Sequence, residues 1–461
     1  MSLPTDRARF GALALLAAAF GCHSDDDSSD EAPPYATLPV IAGCEQQSFE
    51  ACDPLDEACQ ARVFETMKCL RQMPDAVMPP VRVLTKAEQL AEFKADPGED
   101  PEAVKSRVVM ERGLLLLHLA EKDELSPDNQ AQVFVDTTAA YYNHNTGLVT
   151  LSAEEGDEPR DLESETLTLS HEFVHALQDQ DVELSDYFDG AETFDDYLAR
   201  TSLVEGEATM QEGFVSAAIW GFGENPDFRE HFTYWLTRVT DEMKASPLLI
   251  APRFVPYTYG SRFVYNVYEH GGLDEVRARF HEPPHSVLPI LLSVDQLDEP
   301  ATESFDGLTA PALDGFEQVS SDTLGPWVLK TFLERLLPAT QTESVAAAWR
   351  GDRLLVYSTL DTGQTVTALW TLRFADSTGA ANFDALLHDR RQSFPLYDIA
   401  LTSRRDRDVT IGVSEDTPSL TSWSAALDVA QQTWGESAPR SAAPTRPRSR
   451  LAEIARRLRR R

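Results

Sequence analysis

The segment SHEFVHALQDQ, residues 170–180, decides the fold because it contains the pattern H-E-x-x-H. On an α-helix, His171 and His175 lie on one face about one turn apart. Two neutral imidazoles so placed can occupy two corners of a tetrahedral Zn²⁺ site, with bonds of about 2.0–2.1 Å. Glu172, about 100° further round the helix, can flank the metal without binding it and accept a proton from a zinc-bound water. The pattern thus predicts a helix with two metal ligands and one general base.

The same pattern also arises by chance on ordinary helices, so its surroundings matter. Apolar residues on several sides of it predict a buried core helix: Leu167, Leu169, Phe173, Val174 and Leu177. Asp179, four residues after His175, is either an acceptor that orients a histidine or an acidic residue at an exposed helix end.

Two carboxylates that can supply a third ligand follow in the segment SLVEGEATMQEG, which predicts a second helix. They are Glu205 and Glu207, 30 and 32 residues after His175. One carboxylate with two histidines leaves the fourth zinc position open for water, as a catalytic site requires.

Together the motifs HEFVHALQDQ and LVEGEAT resemble the glutamate zincins, specifically the bacterial secreted or lipoprotein members of the peptidase-MA-like clan. In that clan the glutamate of an E-G-x-A motif is the third ligand. The resemblance therefore implies Glu205 as the ligand, with Glu207 as the fallback. It extends from about residue 80 to about residue 430 and implies an α+β fold built on a zincin-like metallopeptidase domain.

The N terminus predicts export from the cytoplasm. Arg7 and Arg9 precede an apolar run, residues 10–20, that is too short to span a bilayer and is typical of a cleaved signal. Cys22 after Gly21 resembles a bacterial lipobox, which implies a lipid-anchored mature chain at the cell envelope. A soluble secreted or periplasmic product is the alternative.

The other four cysteines, Cys44, Cys52, Cys59 and Cys69, lie within 26 residues. In an exported protein such a set predicts two disulfides in a stapled helical hairpin, and three pairings are possible. A small structural zinc site is the alternative, although the spacing contains no C-x-x-C pair.

Composition and resemblance divide the chain into six predicted parts. They are an export signal (1–22), an acidic disordered tether (23–43), the four-cysteine helical module (44–74), the zincin-like domain (75–310), a C-terminal α+β module (311–436) and an arginine-rich tail (437–461).

Within the zincin-like domain, residues 80–93 predict a strand followed by a helix, and residues 132–153 predict strands around a hairpin with the turn NHNTG. In zincins a strand upstream of the metal helix commonly binds extended substrate, so residues 147–151 are a candidate peptide-binding edge. An ordinary core hairpin is the alternative. Residues that can stabilise an oxyanion, or simply pack, are Tyr257, Tyr259, His270 and His285.

In the C-terminal module, strands are predicted near residues 346–358, 365–375 and 408–414, with helices near 322–337 and 382–392. Trp349 and Asp352 of a W-x-G-D motif are interpreted as structural. The tail from residue 440 contains nine Arg and one Glu, whereas the whole chain has a net charge of −36. A body this acidic repels nucleic acid, which is therefore not an expected partner.

The expected function is zinc-dependent hydrolysis of peptide or protein substrates at the bacterial cell envelope. His171, His175 and Glu205 would bind Zn²⁺, and Glu172 would activate its water. The alternative is a non-catalytic metal-binding or structural envelope lipoprotein on the same scaffold. The presence of Glu172 argues against this alternative, because a scaffold that only binds metal needs no base.

Overall fold

The computed structural model of the protein describes most of the chain between residues 44 and 416. The described residues are 44, 50–94, 101–122, 125–153, 160–220, 248, 251, 254–292, 302–303, 305, 310–312, 314–334, 339–360, 365–389, 400–416 and 451. The predicted export signal with Cys22, the acidic tether and, apart from Leu451, the arginine-rich tail lie outside them and stay predictions.

The fold is mixed α+β, with two separate sheets among many helices. The elements before the middle of the chain are α1 (Glu57–Leu70), β1 (Val81–Thr85), α2 (Lys86–Lys94), α3 (Pro101–Leu116), α4 (Pro127–Thr137), β2 (Ala140–Asn143), β3 (Leu148–Ala153), α5 (Leu162–Val182), α6 (Leu184–Asp189) and α7 (Phe194–Trp220). A π-helical turn (Pro256–Gly260) leads into α8 (Ser261–His281) and the short α9 (Leu288–Leu292).

The remaining elements form the C-terminal part. They are β4 (Phe316–Asp322), α10 (Gly325–Glu334), α11 (Ala339–Ala348), β5 (Trp349–Thr359), β6 (Val366–Phe374), α12 (Ser377–Asp389), β7 (Ala400–Arg405) and β8 (Asp408–Ser414). Each predicted strand and helix of this part has a counterpart among the described residues, but residues 346–348, predicted to begin a strand, form the end of α11. Strands β4 and β7, which the sequence analysis missed, complete an antiparallel sheet in the order β4-β5-β6-β8-β7.

The N-terminal sheet has the order β1-β3-β2, with β1 parallel and β2 antiparallel to β3. The predicted hairpin with its turn before Leu148 is confirmed. The assignment of residues 147–151 as a substrate-binding edge is wrong, because β3 is paired on both sides. Among the described strands, β2 is the edge on the hairpin side of this sheet.

Residues 132–137 form the end of helix α4 and not a strand, so this part of the hairpin prediction is also wrong. Ser126 and Pro127 at the start are typical of a helix N terminus. Ala131 and Val135, four residues apart, pack with Phe93. Tertiary contact on a 3.6-residue period therefore outweighed the β-propensity of the valines.

Helix α5 carries the H-E-x-x-H pattern and is buried on several sides, as predicted. Its N terminus is capped by the side chain of Asp161, which accepts a hydrogen bond from the Ser164 N–H. It ends at Glu183, whose φ of 50° lies in the left-handed region. Because α1, β2 and α7 all contact this helix, the polar side chains of its H-E-x-x-H pattern are buried among other protein groups.

The four cysteines form two disulfides, Cys44–Cys69 and Cys52–Cys59. The described part of the module contains one helix, α1, and not the predicted hairpin. Phe64 of α1 packs edge-on against Phe173 of α5, with ring centroids 5.2 Å apart. The module is thereby packed directly onto the H-E-x-x-H helix.

Helix α7 and the π-helical turn approach each other backbone to backbone at two glycines. A Cβ atom on Gly206 would lie 2.5 Å from the Gly260 carbonyl carbon, and one on Gly260 would collide with Ser202. Only glycine fits at both positions. The glycine of the E-G-x-A motif therefore brings the segment with Tyr257 against the helix with Glu205.

Asp352, as interpreted from the sequence, has a structural role. Its carboxylate accepts hydrogen bonds from the N–H groups of Leu324 and Gly325, at 3.0 and 2.8 Å, and from the Trp370 indole at 2.9 Å. It thus joins the N terminus of α10 to the C-terminal sheet. Trp349 is fully buried beside it in the same sheet.

The largest hydrophobic cluster extends through most of the described parts of the chain. It includes Phe64 of α1, Phe173 of α5, Leu203 of α7 and Trp370 of the C-terminal sheet. No described helix combines the length and the apolar character needed to cross a lipid bilayer.

Stability should fall with rising pH because of the buried Asp195 at the start of α7. Burial raises the pKa of Asp195 to about 8, and the nearby carboxylates of Asp352 and Asp196 add to the shift. The folded chain therefore holds a proton that the unfolded chain releases near pH 4. At about 1.4 kcal/mol per pKa unit, the free energy of unfolding should drop by several kcal/mol between about pH 4 and about pH 8.

The substitution Asp195→Asn should remove this drop, including all of the fall above about pH 6, because an amide does not ionise. Burial also raises the pKa of Asp352, to about 6, so a drop that is complete by about that pH should remain. Urea unfolding at a series of pH values measures both curves. Identical pH profiles for the two proteins would contradict the assignment to Asp195.

Candidate metal centre

Three buried side chains converge between α5 and α7: His171, His175 and Glu205. The Glu205 Oε2 atom lies 3.1 Å from Nε2 of His171 and 3.3 Å from Nε2 of His175. The ligand atoms of the three residues lie within 4.8 Å of one another. A single metal ion can contact all three, so the group predicted from the sequence is brought together by the fold.

His175 is oriented by the amide of Gln178, one turn further along α5. The Gln178 Nε2 group donates to the Val204 carbonyl and to Glu207, both at 2.9 Å. Because both partners are acceptors, the Gln178 Oε1 atom must face His175 Nδ1, 2.9 Å away. Nδ1 therefore carries a proton, and Nε2 of His175 faces Glu205.

His171 is oriented by a carboxylate that the sequence analysis missed. Its Nδ1 atom lies 2.9 Å from Glu212 Oε2, on α7 two turns after Glu205. Burial disfavours the imidazolium, but the hydrogen bonds to Glu205 and Glu212 outweigh it and hold the pKa of His171 well above its ordinary value. A metal ion must displace this proton, since only the neutral ring is a ligand.

Glu172 lies beside the three ligands and is held by strand β2. Its Oε2 atom accepts a hydrogen bond from the Tyr142 backbone N–H at 2.6 Å. Burial raises the pKa of Glu172, and the neighbouring His175 and His171 oppose this shift. A carboxylate with a raised pKa is a better proton acceptor near neutral pH than an ordinary glutamate.

Asp179 does not orient a histidine, so that part of the sequence interpretation is wrong. Its two oxygens accept hydrogen bonds from the Tyr142 hydroxyl at 2.6 Å and from the Leu184 N–H at 2.8 Å. The residue instead ties β2 to the end of α5. Glu207, the fallback ligand, points away from the histidines to Arg71, Gln178 and Gln211.

Of the four residues considered as oxyanion stabilisers, Tyr257 lies nearest the ligands. Its ring is nearly parallel to that of His171, with centroids 6.0 Å apart. Tyr259 packs on Trp327 instead. His270 is exposed, with its Nδ1 atom 2.7 Å from the Asn266 carbonyl, and His285 is 80% exposed beside Asp196.

The residues that the sequence analysis missed share a helical signal that was present in the sequence. Gln178 follows His175 by three positions and Glu212 follows Glu205 by seven, so each lies on the same helix face as the ligand before it. Tyr142 gave no such signal, because it contributes a backbone N–H. Compared with known proteins, the chain matches no protein-family model, no curated protein and no solved structure.

Proposed function

We propose that the protein is a zinc-dependent metallopeptidase with a zincin-like catalytic domain. The observation that carries the proposal is the placement of Glu172 beside two imidazoles and a carboxylate whose ligand atoms converge. In a tetrahedral zinc site with bonds of about 2.0–2.1 Å, neighbouring ligand atoms lie about 3.3–3.4 Å apart. The separations of 3.1 and 3.3 Å between Glu205 and the two histidines fit this spacing.

The residues of the site have two roles, metal binding and proton transfer. His171, His175 and Glu205 would hold the ion and leave a fourth position open. Zinc supplies Lewis-acid polarisation and makes a water molecule acidic near neutral pH. Glu172 accepts the proton from the attacking water and can return it to the leaving amine, while the Tyr142 N–H keeps one carboxylate oxygen in place.

Two features of the surroundings support a peptide as the substrate. Strand β2 is a sheet edge beside Glu172, and such an edge can pair with extended backbone. Tyr257, stacked near His171, can offer a phenol to the oxyanion that forms at the scissile carbonyl.

The competing function is a metal-binding or structural envelope protein without catalysis. Its metal site would use the same three ligands but would have no role for a buried carboxylate next to them. Burying the Glu172 carboxyl costs free energy, and its only described hydrogen bond is to a backbone N–H. A role as general base explains why a carboxylate that is unfavourable to bury lies at this position.

Peptide mapping with and without metal tests the proposal. Purified protein should contain about one zinc ion per chain and should cut a complex mixture of envelope peptides, with new N termini identified by mass spectrometry. A zinc chelator should abolish these cleavages, and added zinc should restore them. Full zinc occupancy with peptide maps indistinguishable from a no-enzyme sample would favour the non-catalytic function.

A further inference from the structure

The disulfide-linked helix α1 ends at a buried arginine that reaches towards the metal centre. Arg71 is fully buried, as is Glu207, and its Nε atom donates to Glu207 Oε1 at 2.9 Å. Its Nη2 group lies 3.3 Å from the other Glu207 oxygen and 3.3 Å from Asp181, and its Nη1 group donates to the Leu177 carbonyl at 2.9 Å. One guanidinium thus holds α5 and α7 together just behind the metal ligands.

Glu207 has donors on both of its oxygens. Arg71 and Gln211 donate to Oε1, each at 2.9 Å, and Gln178 donates to Oε2 at 2.9 Å. With N–H donors on both oxygens, this buried carboxylate acts as an acceptor. It therefore fixes which end of the Gln178 amide is the donor.

The orientation of Gln178 decides the tautomer of His175. With its NH₂ group held by Glu207 and the Val204 carbonyl, the Gln178 oxygen accepts the proton of His175 Nδ1. If the amide reversed, its NH₂ group would face Nδ1, the proton would favour Nε2, and His175 could not bind the ion through that atom.

We propose that Arg71 is a positioning residue of the metal centre. Through Glu207 and Gln178 it holds His175 in the tautomer whose Nε2 atom faces the metal position. The inference rests on the metal-binding part of the proposed function. It assigns the four-cysteine module a role in metal affinity, because Cys69, bonded to Cys44, lies two residues before Arg71.

The test replaces the buried ion pair with apolar residues of similar size, in the double variant Arg71→Met/Glu207→Leu. Such a replacement of a complete buried pair is often neutral for folding, whereas removal of one partner leaves a buried charge. The control is Arg277→Met. Arg277 also binds Asp181, at 2.8 Å, but among the described contacts it has no hydrogen bond or ion pair with Glu207.

The variants are compared with wild type by two measurements. The zinc dissociation constant, from competition with a chelator, should rise about 10- to 100-fold in the double variant and stay near the wild-type value in Arg277→Met. In the metal-free proteins, nitrogen-15 spectra of the histidine rings should show a proton on His175 Nδ1 in wild type and a lower occupancy of that proton in the double variant. The His175→Gln spectrum identifies the resonance.

The outcomes separate this inference from the proposed function. A folded double variant with wild-type zinc affinity and an unchanged His175 tautomer would overturn the role of Arg71. A wild-type protein that binds no zinc would overturn the proposed function, while the tautomer comparison would still decide the role of Arg71. If the double variant does not fold, Arg71→Lys, which keeps the charge but loses the planar fork, is judged by the same two measurements.

Discussion

Replacing Glu172 with glutamine should lower the rate of peptide hydrolysis by at least about 100-fold, because positioned acid–base catalysis contributes about 10²- to 10⁴-fold. Glutamine has nearly the same shape and can still accept a hydrogen bond from the Tyr142 N–H. It cannot accept a proton from water. The fold and the zinc content should therefore be unchanged, and kcat should carry most of the loss.

The control is Glu163→Gln, which changes an exposed glutamate at the start of the same helix. It should cleave at the wild-type rate. Cleavage rates are compared on one peptide taken from the wild-type map. A Glu172→Gln protein that retains zinc and cleaves this peptide as fast as wild type would exclude Glu172 as the base.

Loss of a metal ligand should have an equally large effect, through zinc content. His175→Ala removes one of three protein ligands and should leave the purified chain without stoichiometric zinc, and hence inactive. Glu205→Gln should weaken zinc binding more than Glu207→Gln, since of these two carboxylates Glu205 is the one that faces the histidines. Changes behind a ligand typically cost about 10- to 100-fold in affinity.

Zinc content by elemental analysis and affinity by chelator competition measure these differences. Far-ultraviolet circular dichroism checks that each variant is folded. A Glu207→Gln protein that loses zinc while Glu205→Gln retains it would mean that the ligand assignment is reversed.

The sequence predicted the centre of the molecule better than its surroundings. A spacing of four on a helix places His171 and His175 on one face whatever the tertiary structure. The E-G-x-A resemblance then selected Glu205 over Glu207, and the structure places Glu205 with the histidines. Both predictions depend on local geometry or on a short motif, and both of these can be read from a single sequence.

The contacts around this centre depend on long-range packing, which no local pattern encodes. Arg71 and Glu207 are 136 residues apart, and Tyr142 reaches Glu172 through its backbone. The substrate edge was assigned to residues 147–151 because the pairing partner of a strand cannot be read from its own alternation. Strand β1, far earlier in the chain, covers that side of β3.

The Cys44–Cys69 disulfide links the maturation of this centre to the compartment in which the chain folds. In a reducing cytoplasm the bond does not persist. The end of helix α1, with Arg71, would then be held less firmly, and the metal ion would be bound more weakly. For the exported peptidase proposed above, the precursor would then be a poor peptidase and would spare the proteins of the cell that makes it. The zinc affinity of a Cys44→Ser chain measures the effect of the disulfide on metal binding. An affinity equal to that of wild type would contradict this link between the disulfide and the metal centre.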